Sequence, residues 1–182
     1  VHVLGRSEEA LAELRKAFAA VKGSWAWDLR DEGKAEAYQR YLTDNRIRTV
    51  VSTVGVGIGN PLPLLSQSEL GAMVEANLVS PFMILKHSLV PLKQQGGGRI
   101  IVFGSITSII AQEGASGYSA SKMAIRGLLE AARRELRNGF QMISLHGVYT
   151  GSVERIKMSS AVEAVRYLAR LHCGVHADVI VN

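Results

Sequence analysis

Six short apolar runs alternate with helix-patterned stretches along these 182 residues, and that alternation restricts the fold more than any other feature. The runs are VHVLGR at the start, SWAWDL, IRTVVSTVG, RIIVFG, QMISLHG and ADVIVN. Most are continuously apolar, where a half-exposed strand would alternate; continuous runs belong to strands covered on both faces. Between them, SEEALAELRKAFAAV (7–21), DEGKAEAYQRYLTDN (31–45), residues 68–90, the stretch from Tyr118 to about Asn138–Gly139, and SSAVEAVRYLARL repeat their apolar positions with helical period. The pattern predicts an α/β fold: a doubly wound parallel sheet with helices on both faces, residues 1–182 forming a single domain.

In open parallel sheets a ligand sits beyond the carboxyl ends of the strands. The residues predicted there are Gly5 and Arg6, Asp28, 52–55, Gly104 and Ser105, and 146–150. SGYSASKMAI (116–125) then places Tyr118 and Lys122 four positions apart, on one face of a helix. Ser105 precedes Tyr118 by 13 positions, a loop able to turn back toward that helix. A hydroxyl beside a phenol, with an ammonium one turn on, suits carbonyl reduction. Ser105 can hold the carbonyl oxygen, Tyr118 can supply the proton, and Lys122 can lower the phenol's pKa by favouring the phenolate. A bare surface pair at that spacing would bring no such chemistry.

YSASK, Ser105 and the asparagine of EANLVSPF (Asn77), at these mutual spacings, closely resemble the short-chain dehydrogenase/reductase superfamily. The resemblance covers nearly the whole chain and implies a Rossmann-like sheet. It also implies an oxidoreductase that interconverts a carbonyl and an alcohol by hydride transfer. Tyr118 would be the acid/base, and Ser105 would orient the substrate oxygen. Lys122 would also bond the nicotinamide ribose. Asn77 would interrupt its helix and hold a water that relays protons to Lys122. The catalytic set is thus Asn77, Ser105, Tyr118 and Lys122, and two of these, Tyr118 and Lys122, would also touch the cofactor. The family further implies a homodimer or homotetramer built on two long helices, 68–90 and 118–137.

The choice of cofactor rests on LGRSEEAL. NAD-binding strands usually end on an acidic residue that bonds the ribose 2′-OH, whereas here Arg6 follows Gly5. A guanidinium suits a 2′-phosphate, so NADP(H) is expected ahead of NAD(H). Asp28 would bond the adenine amino group and Leu29 pack beside the ring. Gly55 would allow close approach of the adenine ribose. Gly147 and Thr150 would lie against the nicotinamide half.

Three departures from the family stand out. Its opening strand and glycine-rich pyrophosphate turn are absent, Val1 already matching the second family strand, which suggests a chain trimmed at the N-terminus. GVGIGN (55–60) follows the third strand and reads as a mobile exit. The Asn-Asn-Ala-Gly turn is STVG (52–55), and the family Pro-Gly is His146-Gly147, His146 standing in for proline. The lid after it is short.

Composition bears on the alternatives. Cys173 is the sole cysteine, which excludes an internal disulfide and a cysteine-rich metal site. No apolar run is long enough to span a membrane and no signal peptide is visible, so a cytoplasmic protein is expected. The formal net charge is +5, but the basic residues are scattered, with no stripe or aromatic platform for nucleic acid. A small-molecule substrate is the expected partner. The loops that would surround it carry Ile58, Ile106, Ile109, Ile110 and Val148, which suit a moderately hydrophobic carbonyl. The competing reading is a non-catalytic binding or regulatory domain on the same scaffold.

Overall fold

The computed structural model describes residues 1–136, the strand backbones of 140–147 and 177–181, and helical residues 163 and 165–167. The apolar runs form strands β1 (His2–Gly5), β2 (Gly23–Ala26), β3 (Thr49–Ser52), β4 (Gly98–Phe103), β5 (Phe140–Gly147) and β6 (Ala177–Val181). Every pairing is parallel. Ile100, Ile101 and Val102 are all buried, so β4 is covered on both faces, as its uninterrupted apolar run requires. Val51 on β3 is exposed, and that strand is covered on one face only.

The strands do not join into one sheet. β1 pairs with β2 alone, while β3, β4, β5 and β6 form a second sheet in that order. Among the described residues no strand lies between β1 and β3 to bridge them.

The helices begin where the sequence supplies caps. Ser7 Oγ accepts the Ala10 N–H at 3.2 Å and opens α1 (Glu8–Ala17). The stretch 31–45 is not one helix as its period suggests. Asp31 Oδ1 takes the Gly33 N–H at 3.0 Å, holding a tight 3₁₀ turn (Glu32–Lys34) ahead of α2 (Ala35–Asp44). Ser66 and Glu69 form a capping box that starts α3 (Gln67–Val74). The expected continuous helix over 68–90 then widens to a π turn (Glu75–Val79) and resumes as α4 (Ser80–Gln94), four residues past its predicted end. Pro81 has no N–H to return to the Asn77 carbonyl, which disfavours the α pattern at that point. α5 (Ser116–Glu135) starts two residues before Tyr118. Its predicted stop at 138–139 lies outside the described residues.

The core lies between α2, α4, α5 and the second sheet, built from Tyr38, Leu42, Leu92, Ile100, Ile125 and Leu129. Trp27 and Tyr38 pack ring to ring there, centroids 4.8 Å apart. The Tyr38 hydroxyl and Ser88 Oγ share a buried hydrogen bond of 2.9 Å. Burial pushes the Tyr38 phenol up to about 12, so it serves that bond as a neutral group. Among the described residues no helix is long and apolar enough to cross a membrane.

Candidate active site

Three segments meet at the carboxyl end of β4. Lys122, on α5, is buried, and its Nζ donates to the Phe103 carbonyl at 3.1 Å. Desolvation holds the ammonium's pKa below its ordinary value. Tyr118 lies one turn earlier, with the Lys122 Nζ 5.9 Å from its ring centre. The loop after β3 closes the other side. A Cβ on Gly57 would stand 3.5 Å from the Tyr118 ring, and one on Gly55 would stand 3.2 Å from Lys122 Nζ and 2.9 Å from Asn77 Oδ1. Gly55 is therefore required by the packing of Asn77 and Lys122, a role the sequence reading, which assigned it to the adenine ribose, did not see.

Asn77 is fully buried in the middle of the π turn. Its Oδ1 accepts the Val56 N–H at 2.8 Å, and its Nδ2 donates to the Val56 carbonyl at 2.8 Å and to Ser121 Oγ at 2.9 Å. One carboxamide thus pins the loop after β3 to both helices. Ser121, the α5 residue that accepts from Asn77, lies inside YSASK and carries no role in the sequence reading. Ser105 follows β4 by two residues, and its Oγ accepts the Thr107 N–H at 3.3 Å, opening a 3₁₀ turn (Ile106–Ser108).

The second group of predicted residues follows the ends of β1 and β2. Arg6 is exposed directly after β1, and its charge favours ionised Asp28. Asp28 is forked by Arg30, whose Nε donates to Oδ1 at 2.9 Å, and this pairing holds the carboxyl well below the usual carboxylate range. The sequence reading left Arg30 out. Leu29 is buried in the core cluster with Trp27 and Tyr38. Gly147 ends β5 opposite Val181, at the same sheet end as Phe103, which pairs with Leu145. His146 is described only as strand backbone, and Thr150 and Val148 lie outside the described residues.

The profile of the short chain dehydrogenase family matches residues 1–165. The chain belongs to that family. Human 17-beta-hydroxysteroid dehydrogenase type 1 is 29% identical to this short-chain dehydrogenase over 129 residues, covering 69% of this chain and 39% of that protein. The uncharacterized oxidoreductase YbbO of Escherichia coli strain K12 is 28% identical over 144 residues, 76% of this chain and 54% of its own. The short-chain dehydrogenase thus spans about half the length, or less, of these two curated relatives. Among solved structures, a metagenomic short-chain oxidoreductase in complex with NADP superposes with a TM-score of 0.81 at 24% identity, over all of this chain and 85% of its own. Escherichia coli serine dehydrogenase reaches a TM-score of 0.88 at 20% identity, over 99% and 84%. These two structural likenesses establish the Rossmann-type α/β fold of the short-chain dehydrogenase.

Proposed function

We propose that this short-chain dehydrogenase interconverts a carbonyl and an alcohol using NADP(H), with Tyr118 as the acid/base. The observation that carries the reading is the buried Lys122, fixed on the Phe103 carbonyl one helical turn from the Tyr118 phenol. A buried ammonium is costly, and a surface pair would not hide it. The residues present suit a nicotinamide dinucleotide at two places. Lys122 and Tyr118 offer hydroxyl-binding groups at the end of β4, and Arg6 offers a cation beyond β1 where a 2′-phosphate would need one.

A nicotinamide held there would supply or take up the hydride of the reaction. Ser105 Oγ orients the substrate oxygen, and Tyr118 gives that oxygen its proton on reduction or removes it on oxidation. Lys122 holds the ribose hydroxyls and places positive charge beside the phenol. Asn77 keeps the loop after β3 closed on both through Val56 and Ser121. Asp28 would bond the adenine amino group beside its Arg30 fork, and Gly147 would border the nicotinamide half. Exposed Ile110 beside Ser105's turn suits an apolar carbonyl substrate. The partly exposed Phe82 on α4 and Met123 on α5 suit a homodimer or homotetramer.

The test is kcat/KM with NADPH and an activated ketone for the parent and Tyr118→Phe. The variant should keep its circular dichroism and NADPH binding and lose at least a thousandfold in turnover. Near-parent turnover would overturn the mechanism. A parent that binds no nicotinamide cofactor and reduces no carbonyl would favour a non-catalytic binding scaffold.

A further inference from the structure

His87, on α4, is a titratable ring that the proposed mechanism leaves idle. It is half-buried, and its Nε2 is sealed from solvent without a hydrogen-bond partner. Its Nδ1 lies 3.4 Å from the Gln39 amide nitrogen on α2, the helix packed against α4. An amide N–H donates there, so Nδ1 accepts and the neutral ring carries its proton on Nε2. The ring also meets Trp27 edge to face, centroids 6.2 Å apart at 69°.

Trp27 connects this ring to the turn after β2. The indole is almost wholly buried, and its Nε1–H donates to the Asp31 carbonyl at 2.9 Å. The Asp31 N–H returns to the Asp28 carbonyl at 2.9 Å, closing a turn over 28–31. The Asp28 carboxylate folds back onto that turn, taking the Arg30 N–H at 3.1 Å. Trp27 thus braces the turn that carries Asp28. Trp25 and Tyr38 hold the indole as well, with centroids at 5.5 Å and 4.8 Å. Trp25 has no titratable group, and burial keeps the Tyr38 phenol neutral. His87 is the contact on this indole that a proton can change.

A second proton makes both ring nitrogens donors. Gln39 can rotate its carbonyl oxygen to meet Nδ1–H, but Nε2–H stays unpaired, and a charged unpaired donor costs more than a neutral one. The charges felt at the ring are Lys86, beside it on α4, and Glu32, in the 3₁₀ turn before α2. Burial and Lys86 outweigh Glu32 and hold the imidazole's pKa below the ordinary 6.5. Hydration lies close by, since the ring is already half-exposed.

We propose that His87 is a pH-sensitive latch on the Asp28 turn. Neutral, it packs on Trp27 and joins α4 to α2 through Gln39; protonated, it swings to solvent, frees Trp27 and loosens residues 27–31. Asp28 then loses its fixed place, so binding at Asp28 and protonation of His87 oppose each other. With adenine at Asp28, cofactor affinity falls as the pH falls, and this last step alone rests on the proposed function.

The experiment follows the His87 ring carbons, the Trp27 indole N–H and the backbone amides of 28–33 by NMR from about pH 8 to about pH 5. The indole and the amides of Asp28, Arg30 and Asp31 should shift with the His87 midpoint, and that midpoint should lie below the ordinary 6.5. Below it, hydrogen-exchange protection of the indole should fall at least tenfold. In His87→Gln and His87→Phe, neither able to gain the proton, these signals should stay flat. In His2→Gln they should titrate as in the parent. An indole indifferent to His87 protonation, a midpoint at or above the ordinary value, or titration that persists in both His87 variants each overturns the latch. NADP+ binding gives the second reading. Between about pH 7.5 and about pH 5.5 its affinity should fall at least threefold more in the parent than in His87→Gln, a comparison that cancels the cofactor's own titration. Equal falls overturn the coupling to Asp28. A parent that binds no NADP+ at either pH refutes the proposed function instead, and the NMR titration then decides the latch.

Discussion

Lys122 Nζ donates to the Phe103 carbonyl at 3.1 Å, so a buried ammonium ties α5 to the carboxyl end of β4. Burial depresses its pKa below the ordinary 10.5. Between that lowered folded value and the unfolded value, the unfolded chain binds more protons, so stability rises with pH through this window. The cost of burying the charge is fully present below the folded pKa and gone above the unfolded one. Lys122→Met keeps the packing and removes the titration. Urea unfolding from about pH 8 to pH 11 should show the parent gaining on Lys122→Met as pH rises. A constant gap would mean that the ammonium is solvated in the folded protein.

Gly55 and Gly57 lie in one loop but should respond differently to alanine. At Gly55 the added carbon falls 2.9 Å from Oδ1 of Asn77, a carboxamide held by three hydrogen bonds that cannot retreat. At Gly57 the nearest atom is in the Tyr118 ring at 3.5 Å, an ordinary contact. Gly55→Ala should cost about 1–3 kcal/mol in denaturant unfolding, as overpacking does, and lower kcat at least tenfold. Gly57→Ala should unfold within about 0.5 kcal/mol of the parent.

Cofactor choice is predicted to rest on Arg6. NADPH should bind more tightly than NADH by about 1.5–3 kcal/mol, the worth of a charge-assisted bond. Arg6→Asp should reverse the order in isothermal titration. Equal affinities in the parent would leave Arg6 as a surface residue.

The Tyr38–Ser88 bond allows a comparison of its two partners. Tyr38→Phe leaves Ser88 its second bond, to the Ile84 carbonyl at 2.6 Å, and should cost about 1 kcal/mol. Ser88→Ala leaves a buried phenol without its partner and should cost about 1–3 kcal/mol. Denaturant midpoints for the two variants should fall in that order, and the reverse order would refute the asymmetry.

The α/β class was legible because it rests on periodicity, a property of the chain alone: continuous apolar runs and helical repeats survive without any knowledge of their neighbours. The spacing of Tyr118 to Lys122 was legible for the same reason, since four residues on a helix fix one face. Caps such as Ser7 also act within one turn. What the tertiary structure decided depends on residues far apart in sequence. The π turn at Asn77 is local, but its carboxamide finds Val56 and Ser121 only through packing. Leu29 is expected beside an adenine ring, but its burial in the core with Trp27 and Tyr38 follows from packing that the sequence does not state. The two separate sheets were equally invisible. A strand's run of residues states that it needs neighbours, but which edges meet is settled by the path of the chain.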